Sequence, residues 1–145
     1  MSSYNGVAAL CAHPSQARLL MILQGMPGQP PTWMLPGGPL KDGEKSEQAV
    51  ARETLEDTGL KVKVKRRYKQ QSGTAQDVKK RDYKFTCDYY EVEAPGTALK
   101  PQDPDERIYL ADWVAREQIE SLGLYYEFQR EVIRKFFDEV VARAA

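Results

Sequence analysis

The segment Ser46–Thr58 is the feature that most constrains the fold, because it contains neither proline nor glycine and is followed by Gly59. Serine is a residue type that caps the first turn of a helix, and glycine most easily adopts the left-handed conformation that ends one. The segment is therefore predicted to be a helix. One side of this helix can pack on a sheet, and that side carries Val50, Ala51, Thr54 and Leu55.

Strands are predicted wherever a short apolar or alternating run lies between turn signals. Such runs occupy residues 6–12, 17–25, 33–35, 61–70, 83–93 and 107–114. The first two runs are separated by His13-Pro14-Ser15, which predicts a strand pair joined by a turn, and the polar residues 70–82 are predicted to be a loop. Residues 124–145 have the amphipathic pattern of a C-terminal helix. Strands that alternate with helices predict an α/β protein with a mixed sheet between helices.

Composition argues against several kinds of site. The 145 residues include 21 basic and 21 acidic side chains, a balance that argues against nonspecific binding to nucleic acid or to an anionic membrane. Cys11 and Cys87 form no Cys-x-x-Cys motif, and His13 is the only histidine, which disfavours zinc sites rich in these residues and Ser-His-Asp catalysis. We expect a single soluble, cytoplasmic domain over residues 1–145, in which mainly oxygen atoms hold any metal ion.

Glu53, Glu56 and Asp57 lie close together on one face of the predicted helix. At about 100° per residue, Glu56 falls about 60° to one side of Glu53 and Asp57 about 40° to the other. Like charges at this spacing destabilise a helix unless a positive charge lies among them. Two interpretations remain open. Lysine and arginine side chains could neutralise an ordinary solvated face, or a divalent cation such as Mg²⁺ could bind the carboxylates and bridge to substrate phosphates.

The residues around this acidic cluster resemble the signature of the Nudix hydrolases. The match consists of Gly38, Glu44, Arg52, Glu53, Glu56 and Gly59 at the spacing of that signature. The resemblance implies a Nudix-type α/β/α sandwich with a mixed β-sheet. It also implies a metal-dependent hydrolase that cleaves the diphosphate linkage of a nucleoside diphosphate joined to another group, by water attack on phosphorus. The chain departs from the family at Asp57, where a second glutamate is common, and at Thr54, where an aliphatic residue is usual.

The resemblance further implies a metal site for Mg²⁺ or Mn²⁺. Glu53, Glu56 and Asp57 would bind the ion, the backbone carbonyl at Gly37 would lie near it, and Glu53 is the favoured general base. In many relatives a further acid from a loop outside the motif completes the site. The candidates here are Asp105 and, as the favoured residue, Glu106.

Arg52 would orient the carboxylate of Glu53 and pair with Glu44, which would hold the loop against the helix. An ordinary surface pair between Arg52 and Glu56, one helical turn apart, is the alternative. Gly38 and Arg18 would contact the substrate. Relatives often carry an arginine after the second strand, where this chain has Gln24.

The substrate is expected to be a small nucleotide, with nucleoside triphosphates or modified nucleotides favoured, and the protein to be a monomer or homodimer. Aromatic residues that could stack on a base are Trp33, Tyr109, Tyr125 and Tyr126. Two other classes remain open. One is a Nudix-fold nucleotide-binding or regulatory domain without turnover, which would typically have lost carboxylates of the motif. The other is an interaction module built on an acidic helix.

Overall fold

The computed structural model describes residues 1–25, 27–102 and 107–142. Their strands are β1 (Ser2–Cys11), β2 (Arg18–Gln24), β3 (Thr32–Met34), β4 (Gly37–Pro39), β5 (Lys63–Gln76), β6 (Asp82–Glu93) and β7 (Ile108–Ala115). Their helices are α1 (Ser46–Thr58), α2 (Arg116–Ile119) and α3 (Gln129–Phe136), and α3 continues into a short π-helical segment, Phe137–Val141. Among the described residues, no helix is both long enough and apolar enough to cross a membrane.

The strands form two sheets. The first has the order β4-β1-β6-β5 and is mixed, because β1 and β6 run parallel whereas the other neighbours are antiparallel. The second has the order β3-β2-β7 and is antiparallel throughout.

Strand β1 is buried on both faces from Gly6 to Cys11. Val7 and Ala9 share a core cluster with residues of α1, whereas Ala8 and Leu10 share one with residues of α3. A strand covered on both faces has no need for polar residues at alternate positions, which explains the continuous apolar run in this part of the sequence. The predicted mixed sheet with helices packed against it is confirmed.

Helix α1 has the predicted bounds but a different cap. Lys45 is the N-cap residue, and the first helical residue, Ser46, instead directs its hydroxyl to Asp88 Oδ2 at 3.3 Å. Gly59 ends the helix as predicted, with φ at 81° and its N–H donating to the Leu55 carbonyl at 2.8 Å. The prediction of Ser46 as the cap is therefore wrong, while that of Gly59 is confirmed.

The predicted pairing of the first two strands is wrong, because β1 and β2 belong to different sheets. A single bridge between Ala12 and Leu19 connects them before they diverge. The predicted loop over residues 70–82 is wrong for residues 70–76 and for Asp82, which belong to the paired strands β5 and β6, and is confirmed for the connecting residues 77–81.

The C-terminal helix begins at Gln129, later than predicted. Before it, the chain is held in an extended path along β3, where Trp33 N–H donates to the Gly123 carbonyl and Tyr125 N–H donates to the Trp33 carbonyl, both at 2.9 Å. These backbone bonds take the place of helical ones.

The chain crosses from the second sheet to the first between β3 and β4. Leu35, at this crossing, is fully buried, and its N–H donates to Oε1 of the buried Gln129 at 3.3 Å. The Gln129 side chain thus satisfies a buried backbone group at the crossing. The crossing places Gly37 and Gly38 at the edge of the first sheet and beside α1.

Candidate active site

The two glycines of β4 allow two close approaches: β1 lies against Gly37, and the Glu53 side chain lies against Gly38. A Cβ on Gly37 would stand 2.1 Å from the Val7 carbonyl oxygen, and a Cβ on Gly38 would stand 2.6 Å from Oε1 of Glu53. Both distances are shorter than a van der Waals contact, so side chains at these positions would displace β1 or Glu53. The absence of a side chain at Gly38 lets the Glu53 carboxylate approach the strand closely.

Glu53 lies largely out of solvent, with 12% of its side chain exposed. Burial raises the pKa of its carboxyl above the ordinary value, and the hydrogen bond from Arg52 opposes this effect. Arg52 Nη1 lies 2.9 Å from Glu53 Oε1. Glu53 is therefore a partly buried carboxylate held in place by an arginine, which is a common arrangement for a group that accepts a proton or binds a cation.

Arg52 connects the loop before α1 to the acids of the helix. Its Nε and Nη2 donate to the two carboxylate oxygens of Glu44 at 2.8 and 2.9 Å, and its Nη2 also donates to the Pro39 carbonyl at 3.3 Å. The hydrogen bond from Arg52, with a further one from the Lys41 N–H, lowers the pKa of the Glu44 carboxyl to about 2.

The alternative surface pair is present as well. Arg52 Nη1 lies 3.5 Å from Glu56 Oε2, which is longer than its contacts with Glu44 and Glu53. Arg52 therefore contacts all three acids. Its contact with Glu44 is a bidentate pair of hydrogen bonds, which is the strongest arrangement between an arginine and a carboxylate.

Asp57 is buried and faces β4. Its Oδ2 accepts the Gly37 N–H at 3.0 Å. The N–H and C=O of one strand residue point to the same side, so the Gly37 carbonyl also points away from β1 and toward α1. Thr54, at the position that is usually aliphatic in the family, is fully buried and donates its hydroxyl to the Val50 carbonyl at 2.7 Å.

These groups line a cleft of about 810 Å³ between the two sheets. Glu53, Glu56, Asp57, Gly37 and Gly38 all belong to its wall. The wall also includes residues of the second sheet, the loop residue Lys41, and side chains far from the motif in sequence: Tyr4, Gln24, Val78, Arg107, Tyr125 and Tyr126. The structure therefore brings the residues of the motif together with distant aromatic and basic groups.

Two of the predicted site residues, Arg18 and Glu44, are not part of this wall. Arg18 begins β2, at the opposite end of that strand from Gln24, and its Nη1 donates to the Trp113 carbonyl at 3.1 Å. Glu106, with the neighbouring candidate Asp105, lies outside the described residues. Of the four aromatic candidates, Tyr125 and Tyr126 line the cleft, whereas Trp33 and Tyr109 are not part of its lining.

Sequence reasoning missed Tyr4, Lys41 and Arg107 as cleft residues. One signal was available for Tyr4: a glycine, Gly6, follows it two positions later in the same strand. A glycine inside a strand often marks a close approach of another group. Lys41 and Arg107 lie in exposed loop positions that carry no such signal.

The donor set of the cleft fits a hard divalent cation. Glu53, Glu56 and Asp57 offer carboxylate oxygens and Gly37 offers a carbonyl, and Mg²⁺ and Mn²⁺ prefer such oxygen ligands. Arg52 lies between two of these carboxylates, which indicates that the cluster accommodates positive charge. Within the described ranges, no three acidic, histidine or cysteine side chains already converge on one point.

Comparisons with known proteins agree with this arrangement. The family model described as NUDIX domain matches residues 4–136. The chain is similar to a MutT protein from Methanosarcina mazei Go1, with 19% identity, coverage of 94% of this chain and 94% of that chain, and a TM-score of 0.74. It is similar to a NUDIX hydrolase from Nitrosomonas europaea, with 20% identity, coverage of 94% and 90%, and a TM-score of 0.75.

A third similar structure is the NUDIX domain of Shewanella oneidensis NrtR complexed with ADP ribose, with 16% identity, coverage of 99% of this chain and 88% of that chain, and a TM-score of 0.72. At these identities the structural similarities establish the fold. The match to the family model extends over most of the chain and includes every residue of the motif.

Proposed function

The chain belongs to the NUDIX domain family and is a pyrophosphohydrolase. We propose that it cleaves the diphosphate linkage of a nucleotide with the help of Mg²⁺ or Mn²⁺. The observation that carries the proposal is the position of Glu53, a partly buried carboxylate in contact with Arg52, against a glycine of β4 in the wall of a large cleft.

We assign the metal ion to Glu53, Glu56 and Asp57, with the Gly37 carbonyl beside them. A bound divalent cation would neutralise phosphate charge and lower the pKa of a water molecule, which is the chemistry that diphosphate hydrolysis needs. Asp57 is held against β4 by the Gly37 N–H, so its position is fixed relative to that carbonyl. Glu106 remains a candidate for a further ligand.

Glu53 accepts the proton of the attacking water in this proposal. Its burial supports the role, because a carboxyl with a raised pKa is a stronger proton acceptor than an exposed one. Arg52 keeps the Glu53 carboxylate in one orientation, and Glu44 in turn holds Arg52. Arg52 and Glu44 are therefore positioning residues, and the geometry of the base depends on both.

Two exposed basic side chains, Lys41 and Arg107, line the cleft. We propose that these residues contact phosphate oxygens, a role that sequence reasoning had given to Arg18. The cleft volume of about 810 Å³ is in the range of small-molecule sites. A similar domain, that of Shewanella oneidensis NrtR, binds ADP ribose, and we infer that a ligand of this chemical class fits here: a nucleoside diphosphate joined to a second group.

The proposal is tested by incubating the purified protein with nucleoside triphosphates, oxidised nucleotides, nucleotide sugars and ADP-ribose, each with Mg²⁺, with Mn²⁺ and with excess chelator. Phosphate, pyrophosphate and nucleoside monophosphate are measured separately. We expect at least one substrate to be cleaved between two phosphorus atoms, with activity that chelator abolishes. Nucleotide binding without product under every condition would instead support the binding or regulatory domain, and undiminished activity after exhaustive chelation would refute the metal dependence.

A further inference from the structure

A second cavity of about 380 Å³ adjoins the cleft. Both cavities are lined by Tyr4, Val78, Tyr125 and Tyr126, which therefore form the boundary between them. The remaining wall of the second cavity comes from the start of β1 and from the β5–β6 hairpin: Ser2, Ser3, Gln76, Asp77 and Tyr83. The two cavities therefore lie side by side, on either side of these four side chains.

The boundary is built around Tyr4. Its ring lies over Gly6, where a Cβ would stand 2.4 Å from the Tyr4 hydroxyl oxygen. The rings of Tyr4 and Tyr126 have centroids 5.9 Å apart, and Tyr126 contacts Phe128 at 5.2 Å. Phe128 stacks on Phe85 of β6 at 3.9 Å. This chain of aromatic contacts ties the boundary to the core, so that the cavity wall is fixed before a ligand binds.

The second cavity presents a neutral surface. Asp77 is the charged residue among those that line it, and both of its carboxylate oxygens already accept hydrogen bonds within the hairpin turn, from Lys79 N–H, Arg81 N–H and Arg81 Nε. Burial raises the pKa of Tyr4, Tyr83 and Tyr126, so these hydroxyls stay protonated near neutral pH.

Such a wall suits one kind of ligand. Tyrosine rings offer apolar faces for stacking, while the hydroxyls of Ser2, Ser3 and Tyr83 and the amide of Gln76 offer hydrogen bonds to a polar edge. A phosphate or a carboxylate would find no cation among the residues that line this cavity, whereas an uncharged, planar heteroaromatic ring would match both features.

We propose that the second cavity, with Tyr125 at its boundary, binds the nucleobase of the substrate and so selects ring-bearing diphosphates over ring-free ones. This inference rests on the proposed function for the identity of the phosphate end of the ligand. Tyr125 is 44% exposed, packs edge-to-face on Tyr126 with centroids 4.7 Å apart, and lines both cavities. A ring entering the cavity would cover its exposed surface.

The test measures binding rather than turnover, so that it can be read even if the protein hydrolyses none of the substrates offered. The probes are the α,β-methylene nucleoside 5′-diphosphates of adenine, guanine, cytosine and uracil. Methylenediphosphonate, which has the same bridge without sugar or base, is the ring-free probe. Dissociation constants are measured by calorimetry with Mg²⁺ for the wild type, Tyr125→Leu and Ser3→Leu, the last of which fills the second cavity.

Tyr109→Leu is the matched control, because Tyr109 is 55% exposed and lies outside the lining of both cavities. We expect at least one nucleotide probe to bind the wild type more tightly than methylenediphosphonate does. That probe should bind about tenfold more weakly to Tyr125→Leu and to Ser3→Leu, the scale of one lost base-stacking contact. The affinity for methylenediphosphonate should not change in any variant, and Tyr109→Leu should resemble the wild type.

Two results would overturn the proposal. One is that no nucleotide probe binds more tightly than methylenediphosphonate. The other is that Tyr125→Leu and Ser3→Leu either keep the affinity for every nucleotide or weaken both kinds of probe equally. Thermal unfolding of each variant checks that it is folded.

Discussion

Two adjacent glycines show how single residues determine this site. The missing side chain of Gly37 lets β4 pair closely with β1, because a Cβ there would meet the backbone oxygen of Val7. The missing side chain of Gly38 leaves room for the carboxylate of Glu53. The two positions face different neighbours, one a rigid strand and the other the end of a flexible side chain, so the same substitution should have different consequences.

We predict that Gly38→Ala lowers turnover by about 10²-fold, which is the scale of misplacing a catalytic group by about 1 Å. The stability of the protein should change little, because the Glu53 side chain can move aside. Gly37→Ala should instead reduce the free energy of unfolding by about 1–3 kcal/mol, the usual cost of overpacking. The control is Gly96→Ala, at a position where a Cβ would meet nothing within 4 Å. Urea unfolding and steady-state kinetics distinguish the effects, and wild-type turnover in Gly38→Ala would contradict the account of Glu53.

Individual residues of the site could be inferred from the sequence to the extent that they lie in one helix. The spacing of Glu53, Glu56 and Asp57 placed them on one face, and the structure places all three in one cleft. Tyr4 and Arg107 could not be found in this way, because they reach the same cleft from a strand and a loop that lie far from α1 in sequence. Their position depends on how the two sheets meet, which no local pattern encodes.

At the scale of secondary structure, helix α1 and the loop before it act as one unit. Glu44 in the loop accepts two hydrogen bonds from Arg52 of the helix, and Arg52 contacts Glu53 in turn. The bounds of α1 were predicted because the absence of proline and glycine from Ser46–Thr58 and the presence of Gly59 are local signals. The extent of β5 was not predicted, because most of its residues are polar and solvent-exposed. Pairing with β6 defines this strand, and apolar periodicity does not.

The Glu44–Arg52 contact predicts a pH-dependent effect on stability. The pKa of the Glu44 carboxyl is about 2 in the folded protein, below its ordinary value of about 4.3. The stabilisation is therefore fully present above about pH 4.3 and is lost as the pH falls through about 2. We expect Glu44→Gln to lower the free energy of unfolding at pH 7, and the difference from the wild type to shrink steadily below pH 4.

Urea unfolding of the metal-free protein at a series of pH values measures this difference. Glu93→Gln, at the exposed end of β6, is the control for the loss of one surface carboxylate. A difference between Glu44→Gln and the wild type that stays constant down to pH 2 would contradict the account of the ion pair. Because Arg52 also holds Glu53, Glu44→Gln should in addition lower turnover at neutral pH.

At the scale of the whole molecule, the site lies at the boundary between the two sheets. The first sheet and α1 provide the carboxylates and the glycines, whereas the second sheet provides residues such as Gln24 and Met34 on the opposite wall. The crossing between β3 and β4, with Leu35 buried at its centre, joins the two halves. The sequence predicted a mixed sheet between helices, but the division into two sheets depends on long-range pairing of β2 with β7 and had no local signal.

The central claim is that the carboxylates of α1 bind a divalent cation and activate water for diphosphate hydrolysis. The most direct measurement is Mg²⁺-dependent turnover in ¹⁸O-labelled water for the wild type, Glu53→Gln, Glu56→Gln and Glu47→Gln, the last being an exposed acid of the same helix. We predict that ¹⁸O enters a phosphoryl product, that Glu53→Gln and Glu56→Gln each lower turnover by at least about 10²-fold, and that Glu47→Gln has little effect. Turnover near the wild-type value in both Glu53→Gln and Glu56→Gln would contradict the claim.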